Sequence, residues 1–283
     1  MKPLPFDSNE AMKSGCYVSG TTGVGKSDVL MEIAERLMKE DIIVIVFDTS
    51  QDWLNRSSIP IYQPCYGSIS LPEPHTAMIW NMELMTPKQQ QEAIENFCIK
   101  IMKHQAETPE PERKRYFLIF EEAHTYFPQG CMTAKRYQNT VRMMTQGRNY
   151  EIRFACITQF SALIDKNAMR YMRQRYFGST DEPNDFEYIL RFFPKNKRNE
   201  IAEKIVRLKA GEFIYKNGDK TELVQIEPYK CNTKPQEIAR TISPAPPAIN
   251  ESHSNGGGTA KALATLIMAF LWFIMIMYAL SHR

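Results

Sequence analysis

Short runs of apolar residues alternate along this chain with stretches in which apolar residues recur every three or four positions. Cys16 to Val18, Ile42 to Phe47, Tyr116 to Phe120 and Phe154 to Ile157 are apolar at every position. Strands with that pattern bury both faces, as they do in a parallel sheet covered by helices on either side. Between the runs, Val29, Leu30, Ile33, Ala34 and Leu37 repeat at helical spacing, and Gln89 to His104 reads as a second amphipathic helix. A later helix is expected over Ala134 to Gln146. Glu212 to Tyr215 and Glu222 to Ile226 flank the turn signal Asn217-Gly218-Asp219, so a hairpin is expected to close the domain. The alternation predicts an α/β fold with a mainly parallel sheet and helices on both faces.

After this domain the pattern changes. Residues 1–230 carry the α/β alternation, residues 231–260 form a linker rich in Pro, Ser and Gly, and residues 261–283 are almost wholly apolar. The linker should be extended where it is proline-rich and flexible where it is glycine-rich. Ala262 to Leu280 contains no charge, and as a helix at about 1.5 Å per residue it reaches roughly 30 Å, the thickness of a bilayer core. One C-terminal transmembrane helix is therefore expected. No secretory signal is recognisable at the N-terminus. Lys261 on one flank nearly balances Arg283 on the other, so orientation rests on the folded domain, which should stay on the cytosolic side.

Composition adds little to this picture. An apolar content of 43% and a charged content of 24% over 283 residues are those of a globular protein, which excludes bulk disorder. A formal charge of +3 announces no nucleic-acid partner, although it leaves room for a local basic surface. The cysteines (Cys16, Cys65, Cys98, Cys131, Cys156, Cys231) have no zinc-ligand spacing and read as reduced, mostly buried thiols.

Three segments carry chemistry. Gly20-Thr21-Thr22-Gly23-Val24-Gly25-Lys26-Ser27 fits GxxxxGK[ST] between an expected strand and an expected helix. In such a loop backbone N–H groups surround the phosphates, Lys26 reaches the β- and γ-phosphates, and the Ser27 hydroxyl ligates Mg²⁺, so ATP and Mg²⁺ are the expected cofactors. The second segment is the strand Tyr116 to Phe120, which ends in Glu121 and Glu122. Glu121 is expected to hold the Mg²⁺ shell through water, and Glu122 to orient and deprotonate the attacking water. The third is Thr158-Gln159, closing the run Phe154 to Ile157. If that strand lies between the P-loop strand and the acidic strand, Gln159 is placed to sense the γ-phosphate. Two basic segments, Lys166 to Arg175 and Lys195 to Arg198, fit two readings equally, a solvated surface or a path that follows DNA phosphates without reading sequence.

The order GTTGVGKS, FLIFEEAHTYFP, TQGRNYEIRFACITQ and GEFIY resembles the FtsK–HerA superfamily of DNA-pumping ATPases, above all its compact HerA-like and viral genome-packaging members. The likeness covers roughly Ser14 to Tyr215. It implies a RecA-like (ASCE) P-loop core, a hexameric homo-oligomeric ring with ATP at subunit interfaces, and double-stranded DNA in the pore. It also implies an arginine donated across the interface, for which Arg148 and Arg142 are the candidates. Glu121 stands where the family usually has Asp, and a P-loop starting at Gly20 leaves no room for the N-terminal domain of cellular HerA proteins. The expected function is thus a membrane-tethered DNA translocase, a viral genome-packaging motor at a virion membrane or packaging vertex, with capsid or other virion proteins as partners. One alternative is an assembly or export ATPase of the filamentous-phage, zonula occludens toxin type, although only Ser281, His282 and Arg283 follow the apolar span here. A membrane scaffold with a purely structural nucleotide site is another.

Overall fold

A computed structural model describes residues 4–50, 52–57, 59, 61–62 and 77–230. A short helix α1 (Ser8–Ser14) leads into strand β1 (Cys16–Ser19), the glycine loop and helix α2 (Lys26–Met38). There follow β2 (Ile43–Asp48), α3 (Asp52–Arg56), β3 (Ile61–Tyr62), β4 (Met78–Asn81), the long α4 (Pro87–Glu107) and β5 (Tyr116–Phe120). The chain continues through α5 (Gln138–Gln146), β6 (Ile152–Thr158), β7 (Gln174–Phe177), α6 (Pro183–Leu190) and α7 (Arg198–Arg207), and ends in the hairpin β8 (Glu212–Asn217) and β9 (Lys220–Gln225).

The strands form one nine-stranded sheet in the order β3-β4-β2-β5-β6-β1-β7-β8-β9. Pairing is parallel from β3 to β7 and antiparallel for β7–β8 and β8–β9. The apolar runs alternate their side chains between two cores. Ile43, Ile45, Phe47, Leu118 and Phe120 pack with Phe97 and Ile101 of α4 on one face. Val44, Val46, Phe117 and Ile119 pack with Leu30, Ile33 and Leu37 of α2 on the other. This period-two division is what a strand buried on both sides requires.

Helix α4 begins where its sequence is built to begin. Thr86 caps it, Pro87 takes the first turn where no N–H is needed, and Gln89 returns a bond to the Thr86 N–H at 2.8 Å. The expected helix over Ala134 to Gln146 is regular only from Gln138, after a tight turn at Lys135–Tyr137. Cys16, Cys98, Cys131 and Cys156 are buried free thiols as expected; Cys65 and Cys231 lie outside the described residues.

The basic segment Lys166 to Arg175 is not a continuous surface: Ala168, Met169 and Met172 are buried, and Gln174 and Arg175 begin β7, which pairs with the P-loop strand. Arg175 lies 4.5 Å above the Phe192 ring and donates to the Met169 carbonyl at 2.9 Å, leaving Lys166, Arg170 and Arg173 exposed. The basic residues there conceal a half-apolar pattern that serves the core. Among the described residues no helix is long and apolar enough to cross a membrane, and Ala262 to Leu280 lies outside them.

Candidate nucleotide site

The strand order brings the three chemical segments together. Strand β6 lies between β1 and β5, so the P-loop, Gln159 and the two glutamates emerge side by side at the carboxyl ends of adjacent parallel strands. Open α/β sheets bind ligands at that edge. A cleft of about 420 Å³ lies there, lined by the P-loop and by residues from the ends of β2, β5 and β6.

The glycines shape the loop. Gly20 has φ 148°, and a Cβ on it would stand 2.9 Å from Val24 Cγ2 and 3.1 Å from the Ser179 carbonyl oxygen. Gly25, at φ 96°, is the last residue before α2, and no side chain caps that helix. Its first N–H groups and the positive end of its dipole therefore face the cleft, ready for an anion. Lys26 is buried and its Nζ donates to the Thr21 carbonyl at 2.9 Å, holding the loop closed on itself. Burial lowers the Lys26 pKa, while Glu122, Glu121 and Asp52 act in the opposite direction.

Glu121 and Glu122 are consecutive but differently placed. Glu121 is buried, its Oε1 accepting from Trp53 Nε1 at 2.8 Å and its Oε2 from Ser50 Oγ at 2.7 Å. Burial and the neighbouring Asp48 push its pKa well above the ordinary carboxylate value, against the hydrogen bonds from Ser50 and Trp53. Both oxygens thus already have donors, so any bond from Glu121 to a metal shell goes through their remaining lone pairs.

Glu122 adopts the left-handed conformation, φ 45° and ψ 49°. Such a conformation costs a non-glycine residue on the order of 1 kcal/mol, and it turns the carboxylate toward the cleft. Its Oε1 accepts from Gln159 Nε2 at 3.0 Å, and His124 Nδ1 stands 3.3 Å from Oε2, which is buried without a hydrogen-bond partner. Burial raises its pKa, but His124, Gln159 and Lys26 together outweigh burial and leave it below the ordinary value. Glu122 is therefore a charged, acceptor-ready carboxylate at neutral pH, as a group that orients water must be.

Gln159 does more than end a strand. Its Oε1 accepts from Thr22 Oγ1 of the P-loop at 2.8 Å while its amide holds Glu122, so one side chain joins the phosphate loop to the candidate base. Arg142, on α5, donates to Gln146 at 3.3 Å and is exposed. Arg148 is exposed in the turn before β6, at the sheet edge opposite the cleft. Neither lines this cleft.

Sequence reasoning missed the segment after β2. Ser50 and Trp53 hold Glu121, Asp52 Oδ2 accepts from Ser27 Oγ at 3.0 Å, and Arg56 pairs with Asp28. The signal that could have found them is position, since any residue following a strand of this sheet edge is a candidate. These residues fit Mg-ATP. The Ser27 hydroxyl offers a hard oxygen ligand with the Asp52 carboxylate beside it, and no group of three or more acids, His or Cys among the described residues forms a metal cage of its own. A metal that takes most of its ligands from phosphate and water suits that arrangement.

A nine-stranded α/β sheet with a phosphate loop at a helix N-terminus and a charged glutamate beside it defines a P-loop ATPase. The family model described as helicase HerA, central domain, matches residues 2–222, and the chain belongs to that family. Comparison with curated protein sequences finds no match. Among solved structures, the chain is similar to B204, the DNA-packaging ATPase from Sulfolobus turreted icosahedral virus, at 16% identity and TM-score 0.54, covering 76% of this chain and 97% of that one. It is also similar to the genome-packaging NTPase B204 from Sulfolobus turreted icosahedral virus 2 bound to ATP-gammaS, at 16% identity and TM-score 0.52, covering 75% and 96% of the two chains. VirB4 of Thermoanaerobacter pseudethanolicus shares the fold at 10% identity and TM-score 0.54, covering 76% and 90%.

Proposed function

We propose that this chain is an ATP-driven DNA translocase that works as a ring of identical subunits, is tethered to a membrane by Ala262 to Leu280, and packages a viral genome. The observation that carries the motor reading is the Thr22–Gln159–Glu122 bridge, which couples the phosphate loop to the water-orienting carboxylate. Such a bridge lets hydrolysis report on whether the loop is filled, which a static nucleotide-binding scaffold does not need.

Within each subunit the residues have distinct tasks. Lys26 and the α2 N-terminus bind the phosphates, and Ser27, with Glu121 behind it, would hold Mg²⁺. That ion, when bound, neutralises charge on the β- and γ-phosphates. Glu122 orients water and accepts its proton, while Arg148 or Arg142 reaches the nucleotide of a neighbouring subunit. Support for DNA as substrate comes from family membership and from the DNA-packaging role of B204, whose fold this chain shares.

Phosphate release by the full-length protein in detergent, with and without double-stranded DNA, tests the proposal. ATP turnover should rise several-fold with DNA of any sequence; turnover indifferent to DNA would refute the translocase reading. Deleting the residues after Gly258 should give a protein that no longer fractionates with membranes yet retains ATP turnover. Membrane fractionation by that truncated protein would contradict the tether.

A further inference from the structure

The nucleotide cleft is poorly balanced for the ligand it takes. Of the charged side chains that line it, Asp28, Asp52, Glu121 and Glu122 are acids and only Lys26 and Arg56 are bases. A triphosphate brings more negative charge, so every cation within reach matters. Lys26 is accounted for by the P-loop. Arg56 is not.

Arg56 ends α3, a short helix held to the sheet by the fully buried Trp53. Its guanidinium pairs with Asp28, the residue immediately after Ser27 on the P-loop helix, and its side chain remains 34% exposed. A guanidinium carries five N–H donors, so the contact with Asp28 leaves donors free on the same planar group. Asp28 does not depend on Arg56 alone, because its Oδ1 also accepts from the Tyr229 backbone N–H at 2.7 Å. The carboxylate thus keeps a donor when the arginine leaves it. Position beside the phosphate loop, spare donors and a partner that tolerates desertion are what a phosphate-binding arginine needs.

We propose that Arg56 is a nucleotide-binding residue of this ATPase, held by Asp28 and transferred, wholly or in part, to a phosphate oxygen of the nucleoside triphosphate when it enters the cleft. Asp28 acts as a placeholder that keeps the guanidinium at the cleft wall. Because α3 also carries Asp52, bonded to Ser27, the movement of Arg56 ties the segment after β2 to nucleotide occupancy. The proposal rests on the assignment of the cleft to ATP and not on DNA as a substrate.

The test is calorimetric titration of the full-length protein in detergent with ATP, comparing Arg56→Gln, Arg56→Lys and Asp28→Asn. Arg56→Gln should raise the Kd about tenfold or more, as loss of a charge-assisted contact does. Arg56→Lys keeps the charge without the fork and should recover part of that loss. The decisive arm is Asp28→Asn, which weakens the same ion pair but leaves the arginine in place. It should bind ATP as tightly as wild type or more tightly. An Arg56→Gln Kd within about twofold of wild type, less than the loss of one hydrogen bond to a charged group, would overturn the proposal. So would Asp28→Asn weakening ATP as much as Arg56→Gln does, because the pair would then be structural. Should Arg56→Gln fail to fold, Asp28→Asn decides alone by the sign of its effect. Wild-type protein that binds no ATP overturns the cleft assignment together with Arg56, whereas ATP binding without DNA stimulation overturns only the translocase reading.

Discussion

Gln159→Ala isolates the link between the phosphate loop and the candidate base. The substitution removes the 3.0 Å bond to Glu122 and the 2.8 Å bond from Thr22 while leaving β6 intact. A hydrogen bond to a charged group is worth about 1.5–3 kcal/mol, and the Glu122 side chain is 33% exposed, which places this one at the low end. If the bond acts only while water is being attacked, about 1.5 kcal/mol corresponds to roughly a tenfold fall in kcat. The bond from Thr22 is exposed, so its loss should cost the loop about 0.5 kcal/mol and shift KM for ATP by about threefold at most. Steady-state phosphate release across a range of ATP concentrations separates the two effects, with thermal melting as the check on folding. A kcat unchanged within about twofold in a folded variant would refute the coupling, since even a minimal hydrogen bond to charge would then contribute nothing. A matched collapse of kcat, kcat/KM and Tm would show that Gln159 is a structural residue.

Three further outcomes follow from the same geometry. Glu122→Gln should bind ATP but hydrolyse it at least about 100-fold more slowly, because the amide keeps the shape and loses the base; if Glu121→Gln gives that trapped state instead, the two roles are reversed. Glu121→Gln should change how stability depends on pH. Burial and Asp48 raise the Glu121 pKa, so its contribution is favourable at low pH and is lost as pH rises through the elevated value; melting scans from pH 4.5 upward should show the variant gaining on wild type, and parallel curves would contradict this. An inactive Arg148→Ala or Arg142→Ala protein mixed with Glu122→Gln protein should regain ATP turnover, because some interfaces then carry both intact halves, and absence of rescue at every ratio would exclude that arginine from trans action.

The parts of the site legible in the sequence were those with rigid spacing. GxxxxGKS fixes loop, helix start and lysine together, and an apolar strand ending abruptly in Glu121-Glu122 marks its own position at the sheet edge. The placing of Gln159 needed only the strand order, which the structure supplies as β1-β6-β5. Strand β7 was illegible because Gln174 and Arg175 break its apolar pattern, although Arg175 is there to lie over Phe192 rather than to meet solvent. Strand β4, MIWN, and helices α6 and α7 are too short for periodicity to separate them from loops. The polar stretch Ser50 to Arg56 carries no motif. Its residues become part of the site only because β2 lies next to β5, and adjacency of strands is a property of the folded sheet rather than of the local sequence.

The central claim is that ATP hydrolysis in this cleft moves the protein along DNA. Displacement of a triplex-forming oligonucleotide from linear duplex DNA by the full-length protein in detergent measures that movement directly. The account predicts displacement that requires ATP, lags in proportion to the distance between loading end and triplex, and disappears in Lys26→Ala. ATP turnover stimulated by the duplex without any triplex displacement, or displacement undiminished in Lys26→Ala, would contradict it.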